Sequence, residues 1–326
     1  MKNDVIPIFL TIDDKYVPYL DVAIRSLASN SNDSDKYVIN VLHEKLTDKQ
    51  IESIRNLNNL KENVEVKLFD MKESLEKGLE QITDREENKL RRDYFTLSIY
   101  FRIFIPDIFK EYDKGIYIDS DVVVPGDIAQ MYKIELGDNI IGACPDHSIE
   151  NVEKLRYYLQ ESIGVKPSEY INSGVLLMNL KKMREIEFSK NFLRLLNKYH
   201  FFCVAPDQDY INAMCNGKIV YLDECWDAMP NDAKEPLKEP KLIHYNLFQK
   251  PWCYDNIQYE DYFWKYAKLS PYYEEIVKFK ENYSDEQKQS DRECLGKIIE
   301  DAYKQAKDDD NTFKKTFEKG EKRFIW

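Results

Sequence analysis

A chain of 326 residues, 43% hydrophobic and 33% charged, is long enough for one large core or two smaller ones and has the composition of a soluble protein with a charged surface. Its net charge of −12 argues against a nucleic-acid partner, since phosphate backbones are bound by clustered Lys and Arg. The six cysteines are widely spaced with no CxxC pair, which argues against a disulfide framework or zinc site and fits a reducing cytoplasm. The N-terminal apolar run is too short for a signal peptide, and no segment approaches the roughly 18 apolar residues of a membrane span.

Residues 5–12, VIPIFLTI, read as a strand, with Asp13 and Asp14 placed to cap the next element. Val17, Leu20, Ile24 and Leu27 then recur at helical spacing. A second strand over 37–42, an amphipathic helix over 47–60 and a third strand over 64–69 continue the alternation. That order predicts an α/β fold with a mainly parallel sheet and helices on both faces. Ligands of such sheets bind beyond the carboxyl ends of the strands, where residues 11–14 lie. No glycine precedes Gly78, so the first strand–helix turn is no GxGxxG phosphate cradle. A nucleotide diphosphate would need another source of positive charge. Residues 71–89 are charged and weakly patterned. Residues 94–109 read as a largely buried helix ended by Pro106, with Arg102 its single basic residue. A buried Arg needs acid partners, in a crevice or in a structural ion pair.

Residues 114–128, KGIYIDSDVVVPGDI, stand at the centre of the pattern. The apolar run 116–118 has the length of a buried strand and ends in Asp119-Ser120-Asp121. Val122 to Val124 follow, and Pro125-Gly126 forces a turn. Buried charge without compensation costs several kcal/mol, so acids so placed are paired or bind a metal. Alternation along an extended segment points Asp119 and Asp121 the same way, toward one cation. Their oxygens suit Mg²⁺ or Mn²⁺. The plainer alternative is a pair of acids at a strand end, answered by Lys114 or an Arg.

Further on, residues 140–144 form a short strand leading to Pro145-Asp146. Residues 170–180, YINSGVLLMNL, form another, entered through Asn172-Ser173-Gly174, whose small polar residues allow a ligand hydroxyl close to the backbone. Residues 183–198 are helical, and Asp207-Gln208-Asp209 opens a further helix, for which an acidic N-cap is the ordinary explanation. After a strand over 217–222, KLIHY ends in an apolar run at His244, and a loop leads to Lys250-Pro251-Trp252. A lone histidine is more often a core residue than a ligand; the acidic pair makes this one a ligand candidate. Beyond residue 259 the chain becomes helical and rich in Tyr, Trp, Lys and Glu. Its mildly basic end, KKTFEKGEKRFIW, reads as a solvated helical tail, with contact to a membrane or partner as the alternative.

Taken together, IPIFLTIDDKYVPYLDVAIRSL, YFRIFI, KGIYIDSDVVVPGDI, GACPD, YINSGVLLMNLKK, PDQDYIN and LIHYNLFQKPW resemble, in order and spacing, the family 8 retaining glycosyltransferases, relatives of glycogenin and of bacterial lipooligosaccharide galactosyltransferases. The resemblance runs from about Ile6 to Trp252. It implies a GT-A nucleotide-diphospho-sugar transferase fold over residues 1–258 with a helical C-terminal extension over 259–326. It also implies a UDP-glucose or UDP-galactose donor, a Mn²⁺ (or Mg²⁺) cofactor, and a glycan, glycolipid or glycoprotein acceptor. By the same resemblance Asp119, Asp121 and His244 would hold the metal. Thr11, Asp13 and Asp14 would hold uridine, with Ser120 near the ribose. Arg102, Asp146, Asn172 and Ser173 would contact the donor sugar, and Lys250 the diphosphate. Asp207 and Gln208 would flank the reacting anomeric carbon. The expected location is cytoplasmic, with peripheral membrane contact through the tail.

Two positions depart from the pattern. Lys15 stands where the lipooligosaccharide-type relatives carry Asn, and Leu247 where they carry Gly in HxxGxxKPW. Two rival functions compete with this one. A haloacid-dehalogenase-like phosphatase also places DxD after an apolar strand, but near the chain start and before Gly-Thr, whereas Val122-Val123 follow here. A catalytically inactive sugar-nucleotide-binding protein would not need Asp119, Asp121, His244 and Lys250 together.

Overall fold

Residues 5–71, 97–149 and 151–325 are described in the computed structural model of the chain. The weakly patterned stretch 72–89 and the start of the predicted helix at 94–96 lie outside them. The alternation read at the N-terminus gives β1 (Val5–Ile12), α1 (Val17–Asn30), β2 (Lys36–His43), α2 (Asp48–Asn56) and β3 (Val64–Asp70). Helix α1 admits Pro18 because its first turn has no N–H partner to lose. Helix α2 starts in a capping box between Thr47 and Gln50.

Next come α3 (Phe101–Ile108), β4 (Gly115–Ile118), β5 (Val122–Val123), α4 (Ala129–Tyr132) and β6 (Ile141–Ala143). Contrary to the expected stop at Pro106, α3 continues to Ile108. The missing proline N–H forfeits the bond to the Arg102 carbonyl, yet Phe109 N still donates to Ile105 O at 3.0 Å. The chain proceeds through α5 (Glu153–Tyr158), β7 (Val175–Met178), α6 (Leu180–Glu185), α7 (Phe188–Tyr199), α8 (Pro206–Cys215), β8 (Ile219–Tyr221) and β9 (Ile243–His244). It ends in α9 (Glu260–Ala267), α10 (Tyr273–Glu281), α11 (Asp285–Asp308) and α12 (Phe313–Glu318).

Among the described residues, seven strands form one sheet in the order β3-β2-β1-β4-β7-β6-β8. β1 lies parallel to β2 and β4, while β7 runs antiparallel to β4 and β6. Both faces are covered, as the unbroken apolar runs require. Phe9, Tyr117, Leu176 and Met178 pack toward α3, α5, α7 and α8, whereas Ile8, Leu10, Ile116, Ile118 and Leu177 pack toward α1 and α2.

The reversal of β7 matters for function. Ile118 pairs with Val175, so the residues leading into β7 lie beside the carboxyl end of β4. Asp119 N accordingly donates to Gly174 O at 2.7 Å. A separate two-stranded sheet pairs β5 with β9, setting Val122 opposite His244.

The C-terminal helices pack back on this body. Phe263 and Tyr266 of α9 join Tyr19, Tyr245 and Trp252 in a third apolar cluster. Ala302, Ala306 and Phe313 enter the core on the Tyr117 side of the sheet. Burial of Phe313 alone contributes roughly 2–3 kcal/mol. Among the described residues no helix is long and apolar enough to cross a membrane.

Candidate active site

At the carboxyl edge of β4 the apolar strand stops, and the chain presents Asp119, Ser120 and Asp121. The pairing of β5 with β9 brings His244 to the same place from more than a hundred residues away. Its Nε2 lies 3.3 Å from Asp121 Oδ1 and 3.8 Å from Asp119 Oδ2. One ligand atom from each of the three residues falls within 4.8 Å of the others. His244 Nε2 is buried and makes no hydrogen bond, a costly state for a polar atom unless something else binds it. Two carboxylate oxygens and an imidazole nitrogen fit a divalent transition-metal cation.

The opposite ring nitrogen is held. His244 Nδ1 contacts Asp227 Oδ1 at 3.1 Å, and Asp227 is completely buried. A carboxylate behind a histidine sets its tautomer and raises its basicity as a ligand. Burial opposes charge on this imidazole, but Asp121 and Asp227 push its pKa up to about 10. A cation taking Nε2 therefore displaces a proton. Burial likewise raises the Asp227 carboxyl, with His244 opposing it.

Close approach is possible because residue 174 is glycine. A Cβ there would stand 2.3 Å from His244 Cε1 and 2.7 Å from Asp119 Oδ2.

Arg102, projected from α3 and almost fully buried, faces the crevice rather than a remote ion pair. Its Nη2 lies 3.0 Å from Asp119 Oδ1 and its Nε 3.0 Å from Asp207 Oδ2. Nη1 donates to Ser173 O at 2.5 Å and Ser173 Oγ at 3.2 Å. Burial disfavours its charge, but Asp119 and Asp207 hold it protonated. Ser173 Oγ also donates to Asp207 Oδ2 at 3.1 Å. Gln208 Oε1 accepts from Ser173 N at 2.9 Å, while its Nε2 donates to Asp146 Oδ2 at 3.0 Å. Asn172 Nδ2 reaches the same Asp146 oxygen at 3.2 Å. Asp207, Gln208, Asp146, Asn172 and Ser173, scattered in sequence, thus form one hydrogen-bonded wall.

On the other side, Ser120 Oγ donates to Thr11 O at 2.9 Å, tying the ends of β4 and β1. Asp13 accepts from Lys15 N and Tyr16 N at 3.0 and 3.1 Å, capping a short 3₁₀ turn. Asp14 is exposed, with its carbonyl bound by Gln50 Nε2 at 2.8 Å. Lys250 Nζ donates to Asp121 Oδ2 at 2.5 Å and to Tyr245 O at 2.8 Å. Against the cost of burial, Lys250 and His244 hold the Asp121 carboxyl well below the usual range.

Leu247 resolves one departure from the family pattern. Its φ is +51°, so the backbone takes the left-handed conformation that glycine favours, and the side chain points outward, 49% exposed.

Three residues that join this cluster escaped the sequence reading. Asp227 sits in an irregular stretch with no motif, brought beside His244 by the pairing of Ala228 with Ile243. Tyr117 read as strand filling, yet its hydroxyl donates to Asp119 Oδ1 at 2.5 Å and meets Thr11 Oγ1 at 2.8 Å. Its single proton goes to Asp119, so Thr11 is the donor to Tyr117. The period of two was a usable signal, because it places Tyr117 on the face of Asp119. Tyr16 is the third, its ring 6.0 Å from Lys250 Nζ.

Comparison with known proteins places this geometry in a family. The family model described as "Glycosyl transferase family 8" matches residues 7–256. A putative glycosyltransferase of Haemophilus influenzae (strain ATCC 51907 / DSM 11121 / KW20 / Rd) is 27% identical over 236 residues, covering 72% of this chain and 67% of its own. A lipopolysaccharide 1,2-glucosyltransferase of Escherichia coli (strain K12) is 27% identical over 180 residues, covering 50% of this chain and 52% of that one. Among solved structures, the galactosyltransferase LgtC with donor and acceptor sugar analogues superposes with a TM-score of 0.68 at 24% identity, covering 82% of this chain and 96% of LgtC. The bifunctional glycosyltransferase WbbM gives 0.71 at 24% identity, covering 86% of this chain and 52% of WbbM. The sheet, its flanking helices and these neighbours make the fold GT-A. With the family model spanning most of its length, the chain belongs to glycosyl transferase family 8 and is a glycosyltransferase.

Proposed function

We propose that the chain transfers glucose or galactose, with retention, from a UDP-sugar to a glycan, glycolipid or glycoprotein acceptor, and that it uses a divalent cation, Mn²⁺ ahead of Mg²⁺. The observation that carries this reading is the cluster of Asp119, Asp121 and His244, whose buried Nε2 faces both carboxylates without a hydrogen bond, beside Lys250 at the carboxyl edge of the sheet. The nitrogen ligand favours Mn²⁺, because Mg²⁺ prefers oxygens alone. When bound, such a cation offsets charge developing on a departing diphosphate as a Lewis acid. Lys250 adds a second positive charge at the same place. Thr11, Asp13, Asp14 and Ser120 line the end of β1 as a uridine and ribose pocket. Arg102, Asp146, Asn172 and Ser173 form the sugar wall.

Retention is supported by how the groups near the sugar wall are engaged. The Asp207 carboxylate is bound by Arg102 and Ser173, and both ends of the Gln208 amide are bound. Neither is poised as a nucleophile or as a base on the far face. The acceptor oxygen then attacks the anomeric carbon on the face the diphosphate leaves. The carbon–phosphate-oxygen bond breaks as the new glycosidic bond forms, and the acceptor proton passes to the diphosphate oxygen. The Gln208 amide stabilises positive charge on the sugar. Residues 1–258 would supply this chemistry and 259–326 its support. The six free thiols suit a cytoplasmic setting.

UDP release should be assayed with UDP-glucose and UDP-galactose in Mn²⁺, with proton NMR of the first-formed product. An α-product from one donor is expected. A β-product would overturn retention, and no release from either donor would overturn the donor assignment.

A further inference from the structure

Lys250 is not held by its own strand, because the chain leaves β9 at His244 and crosses an irregular loop before reaching it. Its position depends on the next turn. Cys253 N and Tyr254 N donate to Lys250 O at 2.9 and 3.0 Å, closing the turn back on the lysine. On one side Trp252 stacks on Tyr19 of α1, with ring centroids 4.1 Å apart. On the other side the turn meets the C-terminal extension. The Tyr254 hydroxyl donates to Asp291 Oδ2 at 2.6 Å, and Tyr283 donates to the same oxygen at 2.7 Å. Lys280 reaches Asp255 at 2.9 Å.

Asp291 is the unusual member of this group. It lies on α11, a helix whose buried positions are otherwise Ala302 and Ala306, and is itself 8% exposed. For packing alone an apolar residue of the same size would serve as well or better, since a buried carboxylate loses hydration. What the carboxylate adds is direction. It pins two phenol hydroxyls at once, and burial keeps both protonated and able to donate. A continuous path of hydrogen bonds results, from Asp291 to the Tyr254 ring, from the Tyr254 amide to the Lys250 carbonyl, and from Lys250 Nζ to Asp121.

We propose that Asp291, which lies beyond the segment matched by the family, is a positioning residue that holds Lys250 beside Asp121 through Tyr254, so that the C-terminal extension pre-organises the diphosphate-binding turn. This rests on the reading of Lys250 as a diphosphate contact. A fixed lysine reaches the leaving group without first being ordered, which favours both UDP binding and departure.

The test uses the full chain, with UDP affinity measured by calorimetry in Mn²⁺ and amide hydrogen exchange read over residues 245–255. Asp291→Asn and Tyr254→Phe should each weaken UDP binding about 2- to 30-fold, the range for a residue acting through a contiguous network. Each should also speed exchange in the turn. In a Lys250→Ala background, Asp291→Asn should cost less than about twofold more, because the residue it positions is gone. Asp301→Asn on the same helix should leave both readouts unchanged. Parental affinity in Asp291→Asn, or an undiminished effect in the Lys250→Ala background, would overturn the proposal. If the parent bound no UDP, the donor-site reading would fall, and exchange alone would judge the brace: faster exchange in Asp291→Asn would uphold it and unchanged exchange would sink it.

Discussion

Two groups of charged side chains in this molecule are built on opposite rules. Near the C-terminus, the Glu321 side chain is only 11% exposed and accepts from Arg194 and Lys198 at 2.6 Å each, and from the Tyr199 hydroxyl. Its charge is answered within the cluster. At the carboxyl edge of the sheet, Asp119, Asp121, Asp146, Asp207 and Asp227 gather around two permanent cations, Arg102 and Lys250, and a histidine whose Nε2 makes no hydrogen bond. The first group is complete as folded and serves to hold the tail. The second keeps an excess of acid and a ring nitrogen without a hydrogen bond, an arrangement that costs stability and that a bound cation would offset.

The largest effect expected from breaking this contrast is at Asp119. Asp119→Asn should lower kcat for UDP release on the order of 1,000-fold while the unfolding temperature stays close to that of the parent. EDTA should silence the parent in the same way, with Mn²⁺ restoring it; full activity in chelator would show that the acid excess serves no metal. A smaller loss is expected at the second layer. Asp227→Asn should weaken Mn²⁺ binding about 10- to 100-fold, read from the free-ion signal in electron paramagnetic resonance without donor present. Unchanged affinity would leave Asp227 a structural acid.

The closed cluster should respond in stability alone. Glu321→Gln should reduce unfolding free energy in urea by about 1–2 kcal/mol without altering kcat. Burial would raise this carboxyl, but hydrogen bonds from Lys198, Tyr199 and Arg194 win and hold it at about 2, below the ordinary 4.5. Its contribution is therefore present above the ordinary value and lost as pH falls toward about 2. The gap between parent and variant should be constant above pH 5 and close below it; a gap that widened in acid would reverse the assignment. Smallest of all, Leu247→Gly should shift stability by less than about 1 kcal/mol, because relief of the left-handed backbone offsets the extra freedom of glycine when unfolded. A loss well beyond that would mean the exposed Leu247 side chain packs in solution.

The acidic pair was legible because apolar runs on both sides favoured a metal over the plainer role of strand-end acids answered by a Lys or Arg, and the structure supplies such partners too, in Arg102 and Lys250. Arg102 was legible as a buried cation needing acids, though not which acids. Asp227 was not legible, because nothing local distinguishes it from the solvated carboxylates nearby in the chain. Gly174 was expected to let a ligand hydroxyl approach the backbone; what the structure sets against it is the protein's own His244 and Asp119.

Periodicity and chain neighbours by themselves determined the βα alternation, the strand that ends in Asp119 and the crevice beyond it. These depend on spacing along the backbone, which a single sequence displays. Tertiary structure decided the rest. The reversal of β7 set Gly174 against Asp119, and β5–β9 pairing delivered His244. Packing of the tail brought Asp291 to Tyr254 and Glu321 to Arg194. Such meetings follow from shape and burial among distant segments, where each partner looks ordinary until the other arrives.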